Sequence, residues 1–180
     1  MAFACLVAAF VAERLVELVV SSCNIRDALS RGGTERGREH YPVMVLLHTG
    51  LLAGALAEVV LLDRPFLPWL GWPMLVLVLA SQALRWWCIA VLGRQWNTRV
   101  VVVPGATLVR RGPYRLLRHP NYLAVVIEGV ALPLVHTAWV TAAAFTIANA
   151  FLLRTRIRCE NTALRALSRE PVAPRRRADR

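Results

Sequence analysis

The chain has 180 residues, of which 57% are hydrophobic, and yet it carries a formal net charge of +11. All 22 of its cations are arginine, since the sequence contains no lysine. A soluble domain of this length has too small a core for so many apolar residues, and a disordered chain would be far more polar. Long apolar runs separate the arginines, which also excludes an ordinary nucleic-acid binder. The composition is typical of one small polytopic membrane domain with its positive charge on one face.

Five apolar segments follow one another along the chain, at 2–20, 43–62, 66–92, 122–135 and 138–153. The first three are long enough to cross a hydrocarbon core of roughly 30 Å. The last two predict a tight helical hairpin whose second arm continues to Leu167. We therefore predict an all-α integral membrane fold with about five transmembrane helices. Residues 1–167 form its single domain, and 168–180 form a basic, disordered tail.

The distribution of arginine predicts the orientation. Four arginines lie in 24–42, six in 94–120 and nine from residue 154 onward, together 19 of the 22. Alternation of the five spans places these three segments on one side of the membrane, whereas the opposite loop around 63–65 has Arg64 alone. By the positive-inside rule the arginine-rich side is cytoplasmic.

Several ionisable residues fall within or near the apolar segments, which is costly in a bilayer and usually means that they face the bundle interior or a cavity. They are Glu13, Arg14, Glu17, His48, Glu58, Arg85 and Glu128. The first three can share one helical face, and pairing with Arg85 would fix helix packing. Glu128 follows a polar cluster by one or two helical turns, so it is also a candidate wall of a site.

That polar cluster ends the segment 100–122, VVVVPGATLVRRGPYRLLRHPNY. The valines and the Pro-Gly turn predict short extended strands or a folded-back loop at the membrane surface. Pro120 fits the first turn of the helix that follows, where backbone N–H groups are unpaired. With Arg118 and His119 beside it, this helix start suits an anion such as a carboxylate. A lipid headgroup interface is the alternative.

A second cluster, Arg154 to Asn161, leaves the fifth apolar segment on the same side of the membrane. Arg156 and Glu160 are four residues apart and share a helical face, which is also the spacing of an ordinary surface salt bridge. The four cysteines show no CxxC spacing and no histidine at ligand spacing, so neither a metal site nor a disulfide is expected.

These motifs together resemble the isoprenylcysteine carboxyl methyltransferase family. The resemblance is carried by Gly112-Pro113-Tyr114, by the run RHPNY at 118–122, and by Arg156 followed by Glu160. It is closest to the small bacterial branch associated with type III polyketide synthases, in which GREHYP (37–42) and LGRQWNTRVVVVPG (92–105) recur. The resemblance covers roughly residues 10 to 167, and it implies a protein of the bacterial inner membrane with its active site facing the cytoplasm.

The resemblance implies methyl transfer from S-adenosylmethionine, held by the 94–122 loop and the C-terminal helix. The residues that it assigns to the cofactor are Ala106, Thr107, Leu108, Val109, Tyr114, His119, Pro120, Asn121, Tyr122 and Glu160. Glu160 would hold the ammonium or ribose end. Arg156 would be the catalytic residue facing the substrate, with Glu128 as a further substrate-binding residue. The family usually has two consecutive acids where this chain has Glu160 and Asn161.

The sequence leaves the identity of the methyl acceptor open. The sequence has no GxGxxG motif and no βαβ pattern, so a soluble Rossmann-type methyltransferase is excluded. The favoured acceptor is a hydroxyl of a membrane-dissolved alkylresorcinol or alkylpyrone, with Arg156 stabilising the oxyanion and Glu128 or His119 as a possible base. This would give the protein a polyketide synthase as a pathway partner. The carboxylate of isoprenylcysteine is the main alternative. A phospholipid N-methyltransferase, a nicotinamide-dependent reductase and a non-enzymatic membrane protein are further ones.

Overall fold

The computed structural model describes residues 1–107 and 109–167. Leu108 and the predicted tail 168–180 lie outside the described residues. Five α-helices make up most of the described chain: α1 (Ala2–Ser30), α2 (His40–Leu61), α3 (Pro68–Leu92), α4 (Pro120–Leu134) and α5 (Trp139–Leu167). Two short strands, β1 (Thr34–Arg36) and β2 (Val100–Val102), lie in the loops after α1 and α3.

Two of the described helices are long and apolar enough to cross a membrane, α2 and the helix that runs from Pro68 through Gln95. Many of their large apolar side chains are exposed, for example Leu46, Val76 and Leu79, as expected of surfaces that face lipid. The described chain is therefore mostly helical with two candidate membrane-spanning helices, and the count of five crossings with a cytoplasmic arginine-rich side stays a prediction.

Helix α1 is ten residues longer than the apolar segment that predicted it. Residues 21–30 are more polar, but they contain neither proline nor glycine, so nothing in the backbone ends the helix there. The chain turns at Gly32, which has a φ of +78°, a conformation that favours glycine. The second half of α1 consequently reaches the arginine-rich loops.

The all-α prediction needs one correction. β1 and β2 pair antiparallel, with Thr34 opposite Val102 and Arg36 opposite Val100. A three-residue pair is a small feature, but it ties the α1–α2 loop to the start of the segment that carries the polar cluster. Arg99 strengthens this tie, because its guanidinium lies 3.3 Å from the Glu35 carboxylate.

The hairpin predicted for the last two apolar segments is formed by α4 and α5. Its turn includes Thr137, which has a φ of +54° and donates its hydroxyl hydrogen to the Pro65 carbonyl at 3.0 Å. Helix α5 starts against α2, where the Glu58 carboxylate accepts hydrogen bonds from the backbone N–H groups of Val140 and Thr141. These N–H groups lack partners within the first turn of a helix, so Glu58 caps α5.

Close packing between α4 and α5 depends on a glycine. A Cβ at Gly129 would lie 2.1 Å from the Phe145 ring, so the ring occupies the space that any other residue would need. The core nearby is made of small and branched side chains, including Ala55, Val78 and Leu132, which are fully buried. The hairpin therefore holds the start of α4 and the second half of α5 at fixed positions relative to each other.

Candidate functional site

A cavity of about 710 Å³ lies among α1, α2, α5 and the segment between α3 and α4. One part of its wall is polar and contains Tyr114, His119, Tyr122 and Glu160. Another part is apolar and comes from the first half of α1 and the second half of α2. Its residues include Val7, Val11, Leu15, Leu52 and Leu56. A ligand that fills this cavity would have both a polar and an apolar part.

The polar end joins the two sequence motifs. Tyr122, in the first turn of α4, donates its phenolic hydrogen to Glu160 on α5 at 2.7 Å. The His119 imidazole stacks on the Tyr122 ring with centroids 5.4 Å apart, and its Nδ1 lies 3.8 Å from the other Glu160 oxygen. Pro120 opens α4 between them and is itself buried. One carboxylate is thus oriented by a tyrosine and a histidine at the wall of the cavity.

Tyr114 completes this part of the wall from the short 3₁₀ turn Gly112–Arg115. Burial raises the pKa of Tyr114, and the neighbouring Cys88 raises it further. The phenol therefore stays protonated and can donate a hydrogen bond. Gly112 makes the turn possible, since its φ is +56° and a Cβ there would lie 2.7 Å from Val91.

The structure brings most of the predicted cofactor residues to this one cavity. Ala106, Thr107, Val109 and Asn121 line it together with the tyrosines, His119 and Glu160. Leu108 is outside the described residues, so the structure describes only its neighbours on either side.

Arg156 also lines the cavity and is only 8% exposed. Its Nη2 donates to the Thr98 carbonyl at 2.7 Å, and its Nη1 lies 3.0 Å from the Met44 sulfur. Its Nε has no hydrogen-bond partner among the described residues. Glu160 therefore bonds Tyr122, and Arg156 bonds Thr98. The described contacts do not include an i,i+4 salt bridge between Arg156 and Glu160. These two hydrogen bonds of Arg156 use two of the five N–H groups of the guanidinium, so Arg156 keeps donors for a ligand.

Glu128 sits elsewhere, in a buried ion cluster between α1, α3 and α4. It is 2% exposed and accepts hydrogen bonds from Arg14, at 2.9 Å, and from Arg85. Arg14 also bonds Glu17 at 2.6 Å. With two guanidinium groups on its carboxylate, Glu128 fits the packing interpretation better than the substrate-facing role expected from the sequence.

Sequence reasoning did not single out two further cavity residues, Thr98 and Asn149. Thr98 ties three elements together, because its carbonyl accepts from Arg156 and its N–H and hydroxyl bond the Ser21 hydroxyl at 2.9 and 2.8 Å. The sequence could have identified Asn149, because it is a polar residue in an apolar stretch. It also precedes Arg156 by seven residues and so lies on the same helical face. Nothing local distinguishes Thr98 from any other loop threonine.

The apolar helices and the two-part cavity define a helical membrane protein with a ligand site enclosed by its loops and its last helix. Comparison with known proteins identifies its family. The sequence model described as "Isoprenylcysteine carboxyl methyltransferase (ICMT) family" matches residues 74–166, more than half of the chain and all of α4. The chain is also 38% identical to the uncharacterized protein YpbQ of Bacillus subtilis (strain 168) over 164 residues, which cover 91% of this chain and 96% of YpbQ.

The protein therefore belongs to the isoprenylcysteine carboxyl methyltransferase family, as the sequence motifs predicted. Membership makes it a membrane methyltransferase, and members of the family use S-adenosylmethionine as the methyl donor. The match covers both motifs that meet at the Tyr122–Glu160 contact.

Proposed function

We propose that this protein transfers the methyl group of S-adenosylmethionine to a lipid dissolved in the membrane, and that the acceptor atom is a hydroxyl oxygen. A polyketide-derived alkylresorcinol or alkylpyrone has the required hydroxyl and a long apolar chain, and a polyketide synthase would supply it. The observation that carries the proposal is the continuity of the cavity. Its polar wall at Tyr122 and Glu160 and its apolar wall on α1 and α2 belong to one space.

The residues at the polar end fit the cofactor chemically. Four residues that line this cavity contain a buried polar side-chain atom without a partner among the described residues, namely Asn97, Asn121, Trp96 and Arg156. A methionine moiety and an adenosine present both donors and acceptors, so they can satisfy such a set. Glu160 would hold the ammonium group, and His119 or Arg118 the carboxylate. Ala106, Thr107, Val109 and Tyr114 would surround the adenosine, with Leu108 between them in sequence.

S-adenosylmethionine supplies an electrophilic methyl group on a sulfonium centre. The protein has to position the acceptor oxygen, stabilise negative charge on it and keep water away. Arg156 can stabilise that charge through the N–H groups that Thr98 and Met44 leave unused, while these two residues hold the guanidinium in place. His119 is the better candidate base for a hydroxyl, because Glu128 is engaged by Arg14 and Arg85.

Carboxyl methylation of an isoprenylcysteine is the second candidate. It is favoured by the same unused N–H groups of Arg156, which can orient a carboxylate as well as an oxyanion. A carboxylate is already ionised and needs no base. An amine acceptor, as in phospholipid N-methylation, would have no use for a buried arginine beside the acceptor atom, which argues against that alternative.

A labelled-methyl assay on the purified full chain in detergent tests the proposal. Alkylresorcinol, alkylpyrone, farnesylcysteine and phosphatidylethanolamine are offered side by side, and we expect label in a hydroxylated polyketide lipid. Label in farnesylcysteine alone would support the second candidate. Calorimetry should detect binding of S-adenosylmethionine and not of NADPH; binding of neither would contradict an enzymatic role.

We further propose that α1, α4 and α5 cross the inner membrane together with the two long apolar helices, so that the cavity's polar end faces the cytoplasm. The lengths of α1 and α5, 29 residues each, support this. Fusions of a periplasmic and a cytoplasmic reporter at the two chain ends should report opposite sides. Reports of the same side would exclude an odd number of crossings.

A further inference from the structure

A histidine on α2, His48, lines the cavity, and neither the proposed cofactor site nor the ion cluster around Glu128 uses it. It is half-buried and lies on the inner face of the helix. Ala55, seven residues later on the same face, is fully buried, whereas Leu46, two residues earlier on the opposite face, is 72% exposed. The imidazole therefore points into the helix bundle, and the cavity is the space to which it is accessible.

The two ring nitrogens of His48 have different surroundings. Nδ1 lies 2.9 Å from the Met44 carbonyl oxygen, and because a carbonyl can only accept, Nδ1 carries the hydrogen. In the neutral ring, Nε2 then has a lone pair. Nε2 makes no hydrogen bond to a described residue and, unlike Nδ1 of His136, it is not enclosed by the protein. The Phe145 ring packs against the imidazole at 85°, with centroids 5.5 Å apart, and fixes its orientation. His48 thus presents an oriented hydrogen-bond acceptor to the cavity.

His48 lies between the proposed reaction centre and the apolar wall. The Arg156 Nη1 lies 3.0 Å from the Met44 sulfur, and His48 follows Met44 by four residues, about 6 Å along α2. The same helical face continues through Leu52 and Leu56 into the apolar wall. A lipid that extends from Arg156 along α2 toward that wall therefore passes the imidazole.

We propose that His48 Nε2 accepts a hydrogen bond from a second hydroxyl of the acceptor lipid, meta to the hydroxyl that Arg156 orients. Two meta oxygens on a benzene ring are separated by slightly less than one helical turn of about 5.4 Å, which is the spacing between Met44 and His48 along α2. A prenyl hydrocarbon has no donor and would leave Nε2 unpaired at this position. The inference rests on the proposed function in placing an acceptor lipid in this cavity. It makes His48 a specificity residue for dihydroxylated rings.

The test measures binding to the full chain in detergent without cofactor, by tryptophan fluorescence, since Trp96 lines the cavity. The probes are a 5-alkylresorcinol and the 3-alkylphenol with the same chain, which lacks only the second hydroxyl. We expect the native protein to prefer the diol, and His48→Phe to lower the ratio of the two affinities about three- to tenfold, the effect of one lost hydrogen bond. Partition of the probes into detergent is the same for every variant, so it cancels in this comparison.

Three further variants complete the test. His48→Gln should retain most of the preference, because its side-chain oxygen can accept the same hydrogen bond. Thr146→Val, beside Phe145 in sequence and outside the cavity lining, is the control and should leave the ratio unchanged. His48→Leu is a second variant without an acceptor, for use if the larger phenylalanine ring disturbs the fold. An unchanged ratio in folded His48→Phe or His48→Leu would overturn the subsite, as would an equal loss in Thr146→Val.

Methyl transfer to the same two probes is assayed separately, so that the two proposals can fail independently. Transfer to the diol with an affinity ratio that does not depend on His48 refutes the subsite alone. A ratio that depends on His48, without transfer, refutes the proposed function alone.

Discussion

Tyr122 donates its phenolic hydrogen to Glu160 across the α4–α5 hairpin at 2.7 Å. Thirty-eight residues separate the two in sequence, and the contact leaves the second Glu160 oxygen facing His119 and the cavity. The hydrogen bond therefore orients the carboxylate while keeping one oxygen available.

Glu160→Gln should lower the affinity for S-adenosylmethionine by roughly ten- to a hundredfold, because a hydrogen bond from the ligand ammonium to a charged acceptor is worth about 1.5–3 kcal/mol. Tyr122→Phe should have a smaller effect in the same direction, since the carboxylate loses its orientation and keeps its charge. Isothermal titration calorimetry on both variants measures this. An unchanged affinity in Glu160→Gln would remove Glu160 from the cofactor site.

Arg156→Ala should abolish methyl transfer while the affinity for S-adenosylmethionine stays within a few-fold of the native value. Its guanidinium is assigned to the acceptor oxygen, and Glu160 and the loop hold the cofactor. The matched control is Arg158→Ala, which removes an exposed arginine two residues further along the same helix. Loss of cofactor binding in Arg156→Ala would show that this arginine contacts the cofactor instead.

Glu128→Ala should destabilise the protein by about 3–5 kcal/mol, because it leaves the buried Arg85 and the half-buried Arg14 without one of their anions. The expected signature is a lower thermal midpoint in detergent. Turnover per folded molecule should fall far less than in Arg156→Ala. A folded Glu128→Ala protein without turnover would restore Glu128 to the catalytic role that the sequence suggested.

Gly129→Ala should disrupt the α4–α5 hairpin, since its Cβ would lie 2.1 Å from the Phe145 ring. Overpacking of this kind costs about 1–3 kcal/mol and moves α4 relative to Glu160. Gly50→Ala is the control, because a Cβ there meets nothing within 4 Å and alanine is the better helix former. Thermal unfolding should show a lower midpoint for the first variant and an unchanged or higher one for the second.

Local patterns in the sequence were enough to predict much of this protein. Long apolar runs are unstable in water, and in a membrane their backbone groups must be hydrogen-bonded within a helix. Composition and length therefore predicted the helical membrane class, α2, α3 and the α4–α5 hairpin. The motifs RHPNY and Arg156 with Glu160 were specific enough to predict the family, which the comparison confirms for residues 74–166. These features depend on residues close together in the chain.

The tertiary structure decided the relationships between distant residues, since a side chain's partners depend on packing that no local pattern encodes. Packing placed Glu128 between Arg14 and Arg85 and paired Glu160 with Tyr122 instead of Arg156. It also joined Ser21, Thr98 and Arg156 through hydrogen bonds. The sequence determined which segments form apolar helices and which family the chain belongs to. The fold determined which of the polar side chains pair with one another and which line the cavity.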